Sequence, residues 1–292
     1  MKILNFGSLN IDYIYRVDHI GTPGETLAAA MRDVFCGGKG LNQSIALAKA
    51  GAEVYHAGCI GEEGTMLKTA MEESGVECSH VKTLDCASGH AIIQVEDSGQ
   101  NAILLFGGAN QKVTSDFVDE VLADFGSGDM LLLQNEINCL AEIVDKAYSR
   151  GMRIALNPSP YNQNLSAVDM NKISIFLLNE LEGAQMTGES KPEEVLKKMM
   201  QSYPEAEIVL TLGEEGAIYG CGQRVYTQPV FSVKPVDTTG AGDTFTGYFL
   251  AALLESLEIP DCLQLAAKAS AIAVTRQGAA PAIPMRCEVK SF

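Results

Sequence analysis

Short apolar runs, each bounded by turn residues and followed by a stretch with helical spacing, recur along this chain. Ile3–Gly7, Val54–Ala57, Met130–Leu133, Ile154–Leu156, Ile175–Leu178 and Ile208–Thr211 are brief and largely or wholly apolar. Runs of that length suit strands buried on both faces. Between them, Gly40–Ala50 carries Leu41, Ile45 and Ala48 at helical spacing, Thr65–Ser74 reads as a helix, and Ala141–Arg150 reads as another that stops at Gly151. Short apolar strands between helices require a mostly parallel sheet with helices on both faces. The expected fold class is α/β. Later helices are expected over Thr244–Leu257, with Phe245, Phe249, Leu253 and Leu257 near one face, and over the Ala-rich Cys262–Thr275, which permits close packing.

Two regions break the alternation. Asp12–Phe35 and Ser88–Phe106 read as β-ribbons without intervening helices. Gly89–Val95 and Ala102–Phe106 flank Asp97-Ser98-Gly99-Gln100-Asn101, a hairpin turn by composition. Together they are expected to form one small sheet, from about 12–35 and 88–106, standing off a single domain of 1–292. Such a sheet serves as a lid over a site or as a dimer contact; a sheet edge with no mobile role is the alternative. Ala91, Ile93 and Val95 alternate and offer an apolar face to a second copy or to the parent domain.

Composition narrows the partners. No apolar run reaches the ~18–20 residues that span a bilayer, and the first residues are too poor in apolar side chains for a signal peptide. Eight cysteines (36, 59, 78, 86, 139, 221, 262 and 287) form no C-x-x-C pair and read as reduced thiols of a cytoplasmic protein. The four histidines (19, 56, 80 and 90) lack metal-ligand spacing, so zinc is not expected. A formal net charge of −16 opposes nucleic acid and anionic membrane as partners. A phosphate ligand would have to be held by metal ions, backbone N–H groups and a few placed lysines.

One stretch is built for such a ligand. In Asp237-Thr238-Thr239-Gly240-Ala241-Gly242-Asp243-Thr244-Phe245, three small residues lie between two aspartates, directly before an apolar helix-like run. A turn of this kind points backbone N–H groups at one spot, beside the positive end of a helix. Asp243 stands on its rim as a base for a hydroxyl proton, an arrangement suited to phosphoryl transfer. A bare glycine turn into a helix would not need both aspartates.

A second cluster joins Asn10-Ile11-Asp12 to Gly37-Gly38-Lys39-Gly40-Leu41-Asn42. Asn10 and Asp12 alternate with Ile11 and can share one face, where they suit sugar hydroxyls. The glycines admit close approach of backbone to ligand, and Lys39 supplies charge. A helix-leading turn with a solvated lysine is the plainer alternative. Gly40 follows Lys39 where a Walker loop has Ser or Thr, and position 33 is Asp33, so this is no Walker loop. No G-x-G-x-x-G lies between a first strand and helix, which disfavours a dinucleotide enzyme. Asn179-Glu180-Leu181-Glu182 follows an apolar strand: Glu182 can order water around Mg²⁺ and Asn179 can approach phosphate, unless both only cap a helix. Thr211-Leu212-Gly213-Glu214-Glu215-Gly216 can lay a phosphate chain or ribose on its backbone, or simply turn one strand into another. Glu136 is a carboxylate at a strand end, or a solvated charge.

Taken together, these residues resemble the PfkB family of carbohydrate kinases, and within it the ribokinase branch. The resemblance covers nearly the whole chain. It also runs through Thr22-Pro23-Gly24-Glu25-Thr26, Leu156-Asn157-Pro158-Ser159-Pro160 and Ala273-Val274-Thr275-Arg276-Gln277-Gly278-Ala279. It implies a three-layer α/β/α sandwich with a small β-sheet lid, and transfer of phosphate from ATP to a sugar's primary hydroxyl. D-ribose is the first candidate; deoxyribose, a fructose-type sugar or a nucleoside are alternatives. A catalytically silent sugar- or nucleotide-binding regulator is a remote one. It implies Asp243 as base, Gly240, Ala241 and Gly242 as anion hole, and Asn10, Asp12, Gly38, Lys39, Asn42 and Glu136 as sugar ligands. Asn179 and Glu182 match a motif tied to Mg²⁺ and phosphate; Thr211, Gly213 and Gly216 match the nucleotide turn, with Gly242 beside them. Asp237, Thr239, Ala273, Arg276 and Gly278 match ligands of a K⁺ ion, several through carbonyls. A further position there, usually serine, is Ala282, whose methyl cannot coordinate a cation. Gly240 stands where many ribokinases carry alanine. The resemblance also implies a homodimer joined through the lid.

Overall fold

The computed structural model describes residues 1–96 and 98–292; Asp97, in the expected hairpin turn, lies outside the described residues. The chain opens with β1 (Ile3–Phe6), β2 (Asn10–Val17), β3 (Met31–Gly37), α1 (Lys39–Lys49), β4 (Val54–Ile60), α2 (Thr65–Glu73) and β5 (Glu77–Thr83). It continues through β6 (Gly89–Glu96), β7 (Asn101–Phe106), α3 (Ser115–Leu122), β8 (Met130–Gln134), α4 (Leu140–Ser149), β9 (Arg153–Asn157) and β10 (Ile175–Asn179). Then come α5 (Glu180–Thr187), α6 (Pro192–Ser202), β11 (Glu207–Thr211), β12 (Ala217–Cys221), β13 (Arg224–Gln228), α7 (Ala241–Leu254), α8 (Ile259–Ala273) and α9 (Arg286–Ser291).

Nine strands form the large sheet, in the order β13-β12-β11-β10-β9-β8-β1-β4-β5. It is parallel from β11 to β5, and the β12 and β13 strands add on antiparallel. The period-2 alternation of side chains sends neighbours to opposite cores. Ile3, Met130 and Leu132 join the core under α1, α7 and α8, whereas Leu4, Leu131 and Leu133 join the one under α3, α4 and α6. Each such side chain contributes about 1.5–3 kcal/mol by leaving water. The result is three layers, helices–sheet–helices. Among the described residues no helix is long and apolar enough to cross a membrane.

Helices α1 and α7 touch backbone to backbone. A Cβ on Gly247 would stand 2.4 Å from Ala46 Cβ and 2.8 Å from Leu47 N. One helical expectation is corrected: α7 ends at Leu254, Ser256 turns the chain at φ 61°, and Leu257 lies exposed beyond it. It does not share the face of Phe245 and Phe249, both buried.

The second sheet has four strands in the order β3-β2-β6-β7. Strand β2 pairs antiparallel with β3 and parallel with β6, and β6 pairs antiparallel with β7. It is tied to the body at both ends, because β2 leaves just past β1 and β3 runs straight into α1. Its edge strand is strongly apolar yet exposed: Ile103 61%, Leu104 67%, Leu105 51% and Phe106 51%.

Candidate functional site

The first part of the site is the start of α7. Gly240 caps it in the left-handed region (φ 73°), which favours glycine, and a Cβ there would crowd Ala279 Cβ at 2.9 Å. Both constraints account for glycine at this position. The N–H groups of Gly242 and Asp243 find no acceptor among the described residues, so the helix end is open to an anion. Asp243, in the same first turn, is buried at 7% exposure. Asn42 Nδ2 donates to its Oδ2 at 3.0 Å and Gln43 Nε2 to its Oδ1 at 2.8 Å.

The second part is the start of α1, where the two sheets meet. Gly38 caps it at φ 93°, and a Cβ on Gly40 would stand 2.4 Å from Ser8 N, so only glycine lets the helix close on the β1–β2 turn. Glu136, just past β8, accepts from Ser8 Oγ and, at 3.0 Å, from Lys39 N. Burial works against the Lys39 ammonium, yet the carboxylates of Asp243, Glu136 and Glu182 hold it above its ordinary value. Burial also pushes the Glu136 carboxyl up, against the pull of Lys39 and the hydrogen bond from Ser8.

Asn10 and Asp12 occupy alternate positions of β2, with Ile11 turned into the body core. Burial, then the nearby Glu136 carboxylate, raises the Asp12 carboxyl to about 7. Its carboxyl fills the space a Cβ on Gly37 would need, 2.0 Å from Oδ2. One residue here was invisible to sequence reasoning. Asn110 Nδ2 donates to Asn10 Oδ1 at 2.7 Å, and its Oδ1 accepts from Leu9 N at 2.9 Å. With its carbonyl so engaged, Asn10 presents its NH₂ as the free end. Asn110 lies in a Gly-Ala-Asn turn without apolar periodicity, and no sequence signal marked it.

The third part is the cleft on the other side of the α7 start. Lys39, Asn157, Ser159, Asn179, Glu182 and Asp243 line a cavity of about 190 Å³. Asn179 and Glu182 form a full capping box: Asn179 Oδ1 accepts from Glu182 N at 2.9 Å, and Glu182 Oε2 from Asn179 N at 2.9 Å. The capping alternative is thus realised by the same carboxylate that faces the cavity. No group of three His, Cys, Asp or Glu side chains suited to a metal occurs among the described residues. The single carboxylate of Glu182 beside Asn179 on this cavity wall fits Mg²⁺, which is ordinarily held by one or two carboxylates together with substrate phosphates.

A larger cavity of about 540 Å³ adjoins the first, sharing Thr211, Thr238, Ala241, Gly242 and Phe245. Residues 211–216 link β11 to its antiparallel neighbour β12, so the strand-to-strand turn is realised too. Gly213 and Gly216 sit at φ 51° and 103° and line this cavity. Val230, Phe231, Val233, Ala267, Ala271 and Val274 make much of its lining apolar. Sequence reasoning missed this lining, because small apolar residues look like core.

Residues matched to a monovalent cation gather behind the α7 start. Asp237 Oδ1 accepts from Thr239 N and Oδ2 from Gly278 N, both at 2.9 Å. Ala273 O accepts from Arg276 N at 3.0 Å, while the Arg276 guanidinium turns away to Glu288. The available donors are one carboxylate and carbonyl oxygens, which fit K⁺. Ala282 is buried at 1%, and its methyl side chain adds no ligand atom.

Comparison with known proteins gives the family and the fold. The family model described as pfkB family carbohydrate kinase matches residues 1–286. The ribokinase of Haemophilus influenzae is 35% identical over 298 residues, covering 98% of this chain and 96% of that protein. The ribokinase of Bacillus subtilis is 32% identical, covering 100% and 99%. The structure of Arabidopsis thaliana ribokinase complexed with ribose and ATP superposes with a TM-score of 0.89 at 28% identity, covering 99% of this chain and 97% of that one.

Proposed function

The chain belongs to the pfkB family of carbohydrate kinases, and from that premise we propose that it transfers the terminal phosphoryl group of ATP to the primary hydroxyl of D-ribose, giving ribose 5-phosphate and ADP. One observation carries the reading: Asp243 stands where the open end of α7, the sugar-side cluster around Lys39 and the cavity continuous with the apolar slot all meet.

The base of ATP fits the slot walled by Phe231, Ala267 and Ala271, with its phosphates running past Thr211 and Gly213 to the α7 start. The sugar lies between Asn10 and Asp12 on β2 and Gly38, Lys39 and Asn42 at α1. Asn10 donates to a hydroxyl, and Asp12 and Glu136 accept from others. Asp243 receives the proton of the primary hydroxyl as its oxygen bonds to the γ-phosphorus and the bond to the ADP oxygen breaks. The N–H groups of Gly242 and Asp243, with Lys39, stabilise charge on the transferred group. Asn179 and Glu182 would hold Mg²⁺ beside the phosphates, where it would supply charge neutralisation. K⁺ held by Asp237 and the carbonyls of Thr239, Ala273, Arg276 and Gly278 would support the anion hole from behind, one ligand short at Ala282.

We also read the small sheet as a lid whose exposed apolar edge at β7 pairs with a second copy, and the enzyme as cytoplasmic. Its exposed apolar row and sheet edge support the pairing. Sedimentation at micromolar concentration distinguishes dimer from monomer. The function itself is tested by ADP release from Mg·ATP over a panel headed by D-ribose, with and without K⁺. Ribose-dependent turnover supports the reading; turnover only on deoxyribose, a fructose-type sugar or a nucleoside replaces the acceptor; silence on all of them sinks it.

A further inference from the structure

Beneath the site lies a line of side-chain amides that no step above uses. Asn5, Gln43, Ser44 and Gln134 are each 0% exposed. Asn5 Nδ2 donates to Gly40 O and to Ser44 Oγ, both at 2.8 Å. Gly40 O can only accept, so the Asn5 carbonyl must face β8. There Gln134 Nε2 donates to Asn5 Oδ1 at 3.0 Å and to Gln43 Oε1 at 2.7 Å. Gln43, its carbonyl taken, turns its NH₂ to Asp243 Oδ1 at 2.8 Å. The order of donors and acceptors is one-way: a flipped Gln43 would set carbonyl against carboxylate and NH₂ against NH₂. The line is maintained at a local cost. Gln134 Oε1 has no partner among the described residues, although unpaired buried acceptors are unfavourable. A Cβ on Gly7 would stand 2.3 Å from that same oxygen, so a glycine makes room for it.

We propose that Gln43 and Gln134 are positioning residues for phosphoryl transfer: the buried amide line fixes the plane of the Asp243 carboxylate, so that a free lone pair faces the acceptor hydroxyl. This rests on Asp243 acting as the base. Small errors in placing a reacting group cost up to about a hundredfold. Gln43→Leu keeps the bulk and removes the donor.

The test is a double-mutant cycle on kcat with Asp243→Asn, scored with sugar and ATP KM and with near-UV circular dichroism for the fold. In the wild-type background Gln43→Leu should lower kcat by about 10–100-fold with both KM values within about threefold. In the Asp243→Asn background the same change should move kcat by less than about threefold, because its target is gone. Gln134→Leu should follow the same pattern with a smaller loss. Equal losses in both backgrounds, or a loss confined to KM, would make these residues mere packing and overturn the proposal. Loss of fold in both glutamine variants overturns it as well. Wild-type turnover in Asp243→Asn removes the base itself, whereas an inactive Asp243→Asn beside a fully active Gln43→Leu rejects the line alone.

Discussion

The two sheets use similar residues and treat them in opposite ways. Strands β1 and β8 are buried along their whole length, whereas β7, almost as apolar, is largely exposed. The large sheet is covered by helices on both faces, so its central strands gain from nearly every side chain. The small sheet turns residues such as Ile11 into the body core, but its edge strand β7 spends its apolar side chains on a surface. On the proposed reading the body carries stability, the phosphoryl chemistry of Asp243 on α7 and part of the acceptor site at Lys39 and Asn42, and the small sheet adds Asn10 and Asp12 from β2.

That division can be broken by measurement. The largest effect should come from the body: Asp243→Asn is expected to cut kcat by about 10²–10⁴, or roughly 3–5.5 kcal/mol of barrier, in steady-state assays with the fold intact. Next, Leu132→Ala in β8 should cost about 2–5 kcal/mol in urea unfolding, against less than about 0.5 kcal/mol for Leu104→Ala in β7, measured where the protein is monomeric. Equal losses would erase the contrast. On the recognition side, Asp12→Ala should raise the sugar KM by about 10–100-fold, in line with a lost charged hydrogen bond of roughly 1.5–3 kcal/mol, while thermal unfolding stays within a few degrees. The smallest effect is one of pH. The Asp12 carboxyl, raised to about 7 by burial and Glu136, binds its proton more tightly folded than unfolded. Its contribution to the stability of the ligand-free protein is complete below the ordinary carboxylate range and is lost as pH rises through about 7. Sugar binding should run the other way, with KM rising about tenfold from pH 8 to pH 6 as the acceptor is neutralised. Asp12→Asn should flatten both profiles.

What could be read from sequence follows the same boundary. Strands buried on both faces announce themselves as apolar runs, so β1, β8, β10 and β11 were legible within a residue or two. The edges of the large sheet were not: Glu77–Thr83 alternates exposed and buried residues and pairs on one side only, and the β12–β13 pair extends the sheet antiparallel without any apolar run to mark Arg224–Gln228. In the site, Asp243, Lys39 and the glycines were legible because anion binding at a helix start is local chemistry. Asn110 and Gln134 were not, since each matters through partners 91 to 129 residues away. The end of α7 was misjudged because Leu257 keeps the helical spacing after Ser256 has already turned the chain.

The contact at Gly247 has a consequence for how such a protein can change over generations. Helix α1 carries Lys39 and Asn42, helix α7 carries Asp243, and nothing but a glycine's hydrogen separates their backbones. No loop length enters the spacing of base and acceptor-binding helix, so insertions elsewhere leave it alone, while any side chain at 247 would pry it open. On the proposed reading, a descendant could exchange one acceptor for another by editing Asn10 and Asp12 on β2 without disturbing the α1–α7 seam that spaces Asn42 from Asp243.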